Sequence, residues 1–232
     1  MPHTYIAELP VEQFAMLRET LDFCGWTSCL LVANTEVNLR GQLQALGMRL
    51  GVPVATRVGG DMCEMLCPTE AESARSHSLS KLYSLGEFPL HVDTAHWLRP
   101  CRYLILACLS PGCGNRPTVL LDTRQLPLSC DQTALLYSTP FRVTNSRNSF
   151  FSTILTKTRL FVRYDPGCMT PVTPDGTRAL DIFSRHRWPG CAELIDWQIG
   201  KVLVIDNWRV LHGRGNADCP DPTRKLLRIS IQ

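Results

Sequence analysis

The chain has 232 residues, 44% hydrophobic and 19% charged, which fits one globular domain with a full core. The 24 Lys+Arg against 21 Asp+Glu leave a formal charge of only +3, scattered along the chain. That balance argues against nucleic acid or an acidic membrane surface as a partner. No apolar run is long enough to span a bilayer, and Met1-Pro2-His3-Thr4 lacks the basic start and apolar stretch of an export signal.

In chain order, Pro10 to Asp22 reads as a helix, with Phe14, Leu17 and Leu21 on one stripe and Pro10 in the first turn. Thr27 to Val32 is a short apolar strand. Thr35 to Leu50 is a second helix, with Thr35 as N-cap and Gly51 as its stop. Val52 to Val58 and Asp61 to Leu66 read as strands. From Leu90 onward short strands dominate: Leu90–Asp93, Tyr103–Leu109, Thr118–Asp122, Arg159–Tyr164, Val202–Ile205, Val210–His212 and Lys225–Ile231. Between them, Gln125 to Leu136 is turn-rich with a short helix near its end. Pro174 to about His186 is a further helix, with Thr173 as its N-cap. There is no repeat or linker, so residues 1–232 are expected to form a single domain. Helices first and many short strands later predict an α+β fold on an antiparallel double-sheet jelly roll, flanked by N-terminal helices.

The 11 Cys are odd in number and, without an export signal, predict reduced thiols in a cytoplasmic protein. Cys63-x3-Cys67 has a permissible zinc spacing, but no second Cys/His pair follows at finger distance. Burial of these thiols as small hydrophobes is the expectation.

His91-Val92-Asp93 carries more chemistry. Strand side chains alternate faces, so His91 and Asp93 aim at one point while Leu90 and Val92 face away. His212, 119 positions after Asp93, is the candidate third ligand. Two imidazoles and one carboxylate suit mononuclear Fe(II) and leave positions open for oxygen chemistry. His-x-Asp also arises by chance, and His96 is the rival for the third position.

The C-terminal strand puts Lys225, Leu227, Ile229 and Ile231 on one face and Arg224, Leu226, Arg228 and Ser230 on the other. The apolar face belongs to the core. The two arginines, roughly 13 Å apart along an extended strand, then look either to solvent or into a polar cavity, where each planar fork would suit a carboxylate.

The segments His91-Val92-Asp93-Thr94-Ala95-His96-Trp97, Arg116-Pro117-Thr118, Asn207-Trp208-Arg209-Val210-Leu211-His212-Gly213-Arg214 and Arg224-Lys225-Leu226-Leu227-Arg228 together resemble the taurine dioxygenase and clavaminate synthase-like family of Fe(II)/2-oxoglutarate oxygenases. The resemblance runs from about Leu85 to the C-terminus. It implies a double-stranded β-helix, a form of jelly roll. It implies His91, Asp93 and His212 as catalytic iron ligands, and Arg224 and Thr118 as holders of 2-oxoglutarate. Arg228 matches a position that in some members binds an anionic group of the substrate. The implied reaction uses Fe(II), 2-oxoglutarate and dioxygen to hydroxylate a small molecule, releasing succinate and carbon dioxide; desaturation or ring closure stays open. The carboxylate of Asp93 predicts oxidation and not halogenation, since halogenating relatives carry a small residue there. Two other readings of the same residues stay open. A cupin-like metal enzyme would use the triad without 2-oxoglutarate, and Arg224 would then be nearly silent. A non-enzymatic jelly-roll binding protein would take up no stoichiometric iron.

Overall fold

The computed structural model describes residues 10–31, 35–75, 78–145, 148–156, 160–184, 187–188, 190–219 and 221–232. In chain order these give α1 (Val11–Cys24), β1 (Trp26–Leu30), α2 (Glu36–Leu50), β2 (Pro53–Val54), β3 (Cys63–Leu66), α3 (Leu79–Tyr83), β4 (Tyr103–Ser110) and β5 (Thr118–Asp122). There follow α4 (Cys130–Ser138), β6 (Phe141–Asn145), β7 (Asn148–Ser152), β8 (Met169–Pro171), α5 (Asp175–Ile182), β9 (Glu193–Ile195), β10 (Lys201–Asp206), β11 (Val210–Arg214) and β12 (Lys225–Ile231).

Helix ends follow local chemistry. Gly25 ends α1 in the left-handed region, at φ 81°. The Thr35 hydroxyl accepts from Asn38 N to open α2. Ser129 and Gln132 cap each other's backbone at the start of α4. Helix α5 differs from expectation. Its N-cap is Pro174, whose ring offers no hydrogen-bond acceptor, and Thr173 contributes its carbonyl, to Gly176 N.

The strands form a six-stranded sheet in the order β1-β10-β4-β12-β2, with β3 also paired to β12, and two three-stranded sheets, β11-β5-β9 and β7-β6-β8. The pairings are antiparallel. Alternation along β4 shows how the layers stack. Tyr103, Ile105 and Ala107 join Leu21, Leu43 and Leu46 of α1 and α2 in one cluster, with Leu227, Ile229 and Ile231. Leu104 and Leu106 turn the other way, toward Leu120 of β5 and Val210 of β11. A third cluster joins Leu90, Val92, Val119 and Leu211 to Phe141, Val143 and Phe183. Each fully buried Leu or Ile contributes about 1.5–3 kcal/mol by leaving water. Arg209 ties these layers to α1: its Nε and Nη2 pair with Asp122, and its Nη1 and Nη2 donate to the carbonyls of Asp22 and Phe23.

The expected strand at 52–58 is reduced to two residues. Thr27–Val32 stops at Leu30, and Val32 lies outside the described residues. Arg159–Tyr164 makes no ladder, because successive amides serve different neighbours: Val162 N donates to Trp208 O and Arg163 N to Ile154 O. Arg159, His3, His77 and His186 lie outside the described residues. Strands β6 to β9 and helix α3 were not anticipated. The eleven cysteines are free, but burial is not their common fate, since Cys67, Cys113, Cys130, Cys191 and Cys219 are exposed. Among the described residues no helix is long and apolar enough to cross a membrane.

Candidate metal centre and its pocket

His91 and His212 lie on neighbouring segments joined as an isolated antiparallel bridge: His91 N donates to His212 O at 2.9 Å, and His212 N to His91 O at 3.0 Å. The close approach depends on Gly213, where a Cβ would stand 2.8 Å from Phe88 O. The expected strand Leu90–Asp93 is therefore no more than this bridge, yet its alternation holds. Leu90 and Val92 enter the core, and His91 and Asp93 share the other side. The chain turns immediately afterwards, at Thr94, whose φ is 56°.

The ligand atoms of His91, Asp93 and His212 lie within 4.8 Å of one another, and all three residues are buried. Both imidazoles aim Nε2 at Asp93 Oδ1, at 3.5 Å and 3.6 Å. These separations leave the three atoms facing a common point. His91 Nδ1 lies 2.9 Å from Pro89 O, which fixes the tautomer whose Nε2 lone pair is free for a metal. Burial works against charge on Asp93, but Arg228 and the two imidazoles hold its carboxyl well below the usual carboxylate range. Burial and the neighbouring His91 push His212 down, toward the neutral imidazole that metals bind. An ionised carboxylate, a neutral imidazole and fixed Nε2 directions fit a divalent metal with three protein ligands. His96 lines the same cavity but is not part of this cluster. Cys63 is buried and Cys67 exposed, and the pair is not in a metal cluster among the described residues.

The cavity over the triad has a volume of about 1240 Å³ and is also lined by Thr118, Arg214, Arg224 and Arg228. Both arginines of β12 thus turn inward, as the strand alternation allows. Arg224 Nη1 donates to Arg116 O at 3.0 Å. Burial and the nearby Arg116 lower Arg224 to about 10, and burial with Arg116 and Arg224 lowers Arg214 to about 9. Thr118 Oγ1 accepts from Trp197 Nε1 at 3.0 Å, which fixes the hydroxyl. Arg228 stands differently from the open anion seat that the resemblance implies. Its Nη1 donates to Asp93 Oδ2 at 2.9 Å and its Nη2 to Glu64. It anchors the metal-facing carboxylate while still lining the cavity.

Sequence reasoning missed three supporting residues. Asn207 is wholly buried; its Oδ1 accepts from Asp93 N at 2.9 Å and its Nδ2 donates to Asp93 O at 3.1 Å, as a strand partner would. Trp197 and Glu64 are the others. For Glu64 the signal was available, since strand alternation separates it from buried Cys63.

Comparison with known proteins places these features. Residues 135–230 match the family model described as taurine catabolism dioxygenase TauD, TfdA family. That stretch holds His212, Arg224 and Arg228; His91, Asp93 and Thr118 lie before it and are joined to it by the fold. No curated protein sequence matches the chain significantly. Among solved structures, asparagine oxygenase in complex with Fe(II), 2S,3S-3-hydroxyasparagine and succinate superposes with a TM-score of 0.78 at 17% identity, over 96% of this chain and 79% of the other. The non-heme iron oxygenase OrfP with Fe, succinate and (3S)-hydroxy-L-Arg gives 0.74 at 20% identity, over 98% and 82%. OrfP with Fe and alpha-ketoglutaric acid gives 0.70 at 20%, over 98% and 83%. Likeness at this identity is a likeness of fold. The family model over residues 135–230 and the shared fold over nearly the whole chain bear out the resemblance read from the sequence.

Proposed function

We propose that this protein is an Fe(II)/2-oxoglutarate-dependent dioxygenase that hydroxylates a small amino-acid-like molecule and releases succinate and carbon dioxide. The observation that carries this reading is the meeting of three metal-ligand atoms within 4.8 Å, in one cavity with Arg224 and Thr118. His91, Asp93 and His212 would hold iron as the catalytic ligands. The bound metal and cosubstrate supply activation of dioxygen, so that one oxygen atom enters a C–H bond of the substrate and the other leaves in succinate. The chain's own residues set geometry. Pro89 O keeps the His91 proton on Nδ1. Arg228 keeps Asp93 ionised and aimed. Arg224 seats the distal carboxylate of 2-oxoglutarate, and Thr118, oriented by Trp197, donates to it. With the carboxylate of Asp93 present, hydroxylation and not halogenation is expected.

The substrate class rests on the neighbours, which hold hydroxylated asparagine and arginine. Arg228 lines the cavity with its two Nη atoms already bound to Asp93 and Glu64. The stacked antiparallel sheets fit a double-stranded β-helix core, and residues 1–232 read as a single oxygenase-like domain. The free thiols fit a cytoplasmic protein.

The test is anaerobic assembly with Fe(II) and 2-oxoglutarate, followed by a screen of amino acids for succinate release. A visible charge-transfer band and substrate-dependent succinate are expected. A protein that takes up metal and forms no band with 2-oxoglutarate is a cupin-like metal enzyme instead.

A further inference from the structure

Arg224 enters the cavity from a backbone position that no ladder holds. Strand β12 begins one residue later, and its pairing with β4 shifts between Lys225 and Leu226. The backbone just before Arg224 is fixed by Asp221, which is 0% exposed. Its Oδ2 accepts from Cys113 N at 2.8 Å and Gly114 N at 3.0 Å. Its Oδ1 accepts from Thr223 N at 2.7 Å and Thr223 Oγ1 at 2.5 Å. The consecutive amides of 113 and 114 make a concavity that favours an anion, and the chain fills it with its own carboxylate. Gly112 makes room: its φ is +75°, and a Cβ there would lie 1.9 Å from Asp221 Oδ2 and 3.1 Å from Arg224 N. The same turn runs on to Arg116, whose carbonyl receives Arg224 Nη1 at 3.0 Å. Backbone and guanidinium of Arg224 are thus both referenced to the 112–116 turn.

We infer that Asp221 is a positioning residue for Arg224, a latch that touches neither the metal ligands nor the cavity wall yet sets the guanidinium at the depth a dicarboxylate needs. This rests on the reading that Arg224 seats 2-oxoglutarate. The hydrogen bonds from Thr223, Cys113 and Gly114 lower the Asp221 carboxyl to about 2, so the latch is ionised at any pH of interest. Asparagine at 221 has one acceptor oxygen, and its NH2 would face an N–H or O–H donor on one side.

The experiment titrates 2-oxoglutarate into anaerobic, Fe(II)-loaded wild type, Asp221→Asn and Gly112→Ala, with Fe(II) affinity and thermal melting measured on each. Both variants should lose about tenfold in 2-oxoglutarate affinity, while Fe(II) affinity stays within about twofold. Folded variants with unchanged 2-oxoglutarate affinity overturn the latch, and so does a parallel loss of Fe(II), which marks a general scaffold defect. Should these variants not fold, Thr223→Val removes one of the four bonds and should cost roughly threefold; no change there overturns the latch equally. Wild type that binds Fe(II) but no 2-oxoglutarate fails the cosubstrate reading itself, a result distinct from unchanged variants.

Discussion

The cavity has two charged corners built on opposite principles. At the metal corner charge is balanced within the chain: Arg228 lies between Asp93 and Glu64, and the imidazoles face the carboxylate. At the other corner Arg116, Arg214 and Arg224 donate to backbone carbonyls: Gly215, Leu85 and Gly86 for Arg116, Gly86 and Ser84 for Arg214, Arg116 for Arg224. Carbonyls satisfy geometry but carry no net charge: burial lowers the proton affinity of all three guanidiniums, Arg116 lowers Arg224 further, Arg116 and Arg224 together lower Arg214 further, and Asp221 offsets only part of this at Arg116 and Arg224. The balanced corner is organised for a cation held by a preformed carboxylate. The unbalanced one is organised to receive an anion from solution, as 2-oxoglutarate would be.

Substitutions break this comparison in graded steps. His212→Ala should abolish succinate formation and weaken Fe(II) binding by more than about a hundredfold, since outer-shell partners alone are worth 10–100-fold. Undiminished succinate would remove His212 from the triad. Arg228→Ala leaves Asp93 and Glu64 facing each other in a buried site and should cost about 3–5 kcal/mol of stability, read by denaturant unfolding. A loss below about 1 kcal/mol would mean that the corner is not balanced as described. Arg224→Ala should instead leave stability and iron binding largely intact and raise the 2-oxoglutarate requirement by about a hundredfold, the range of a lost charged hydrogen-bond pair. Turnover at unchanged cosubstrate concentration would break the clamp. Asn207→Ala should cost about tenfold in Fe(II) affinity, because the backbone of Asp93 loses its partner; equal affinity in a calorimetric titration would show that the backbone holds itself.

The smallest effect is in acid. Asp221 sits at about 2 in the folded chain against the usual 3.8. A lowered carboxyl stabilises above its unfolded value and loses that contribution as pH falls toward its folded one. Melting temperature should therefore fall more steeply between about pH 4 and pH 2 in wild type than in Asp221→Asn, which has no proton to gain there. Asp93 shifts with the same sign and remains in both proteins.

Much of the site was legible because it is local. Period-two alternation placed His91 with Asp93, and Arg224 with Arg228, even where the first of these strands proved to be a single bridge. The periodic helices α1 and α2 and strands β5 and β12 were found within a few residues. The short strands β6 to β9 were missed because segments of three to five residues carry too few positions for a period. Arg159–Tyr164 looked like a strand because its composition is apolar and aromatic, but its Val162 and Arg163 amides go to two separate neighbours, Trp208 and Ile154.

The sequence by itself determined which side chains could hold a metal and which face of β12 would carry the cations, because a strand's pleat converts spacing into direction. Only the tertiary structure decided that His212 and not His96 completes the triad, that Arg228 is bound to Asp93 and Glu64, and that Asp221 holds the turn behind Arg224. Those outcomes depend on contacts between residues 107 to 164 positions apart, and such contacts follow from layer packing, which no local pattern encodes.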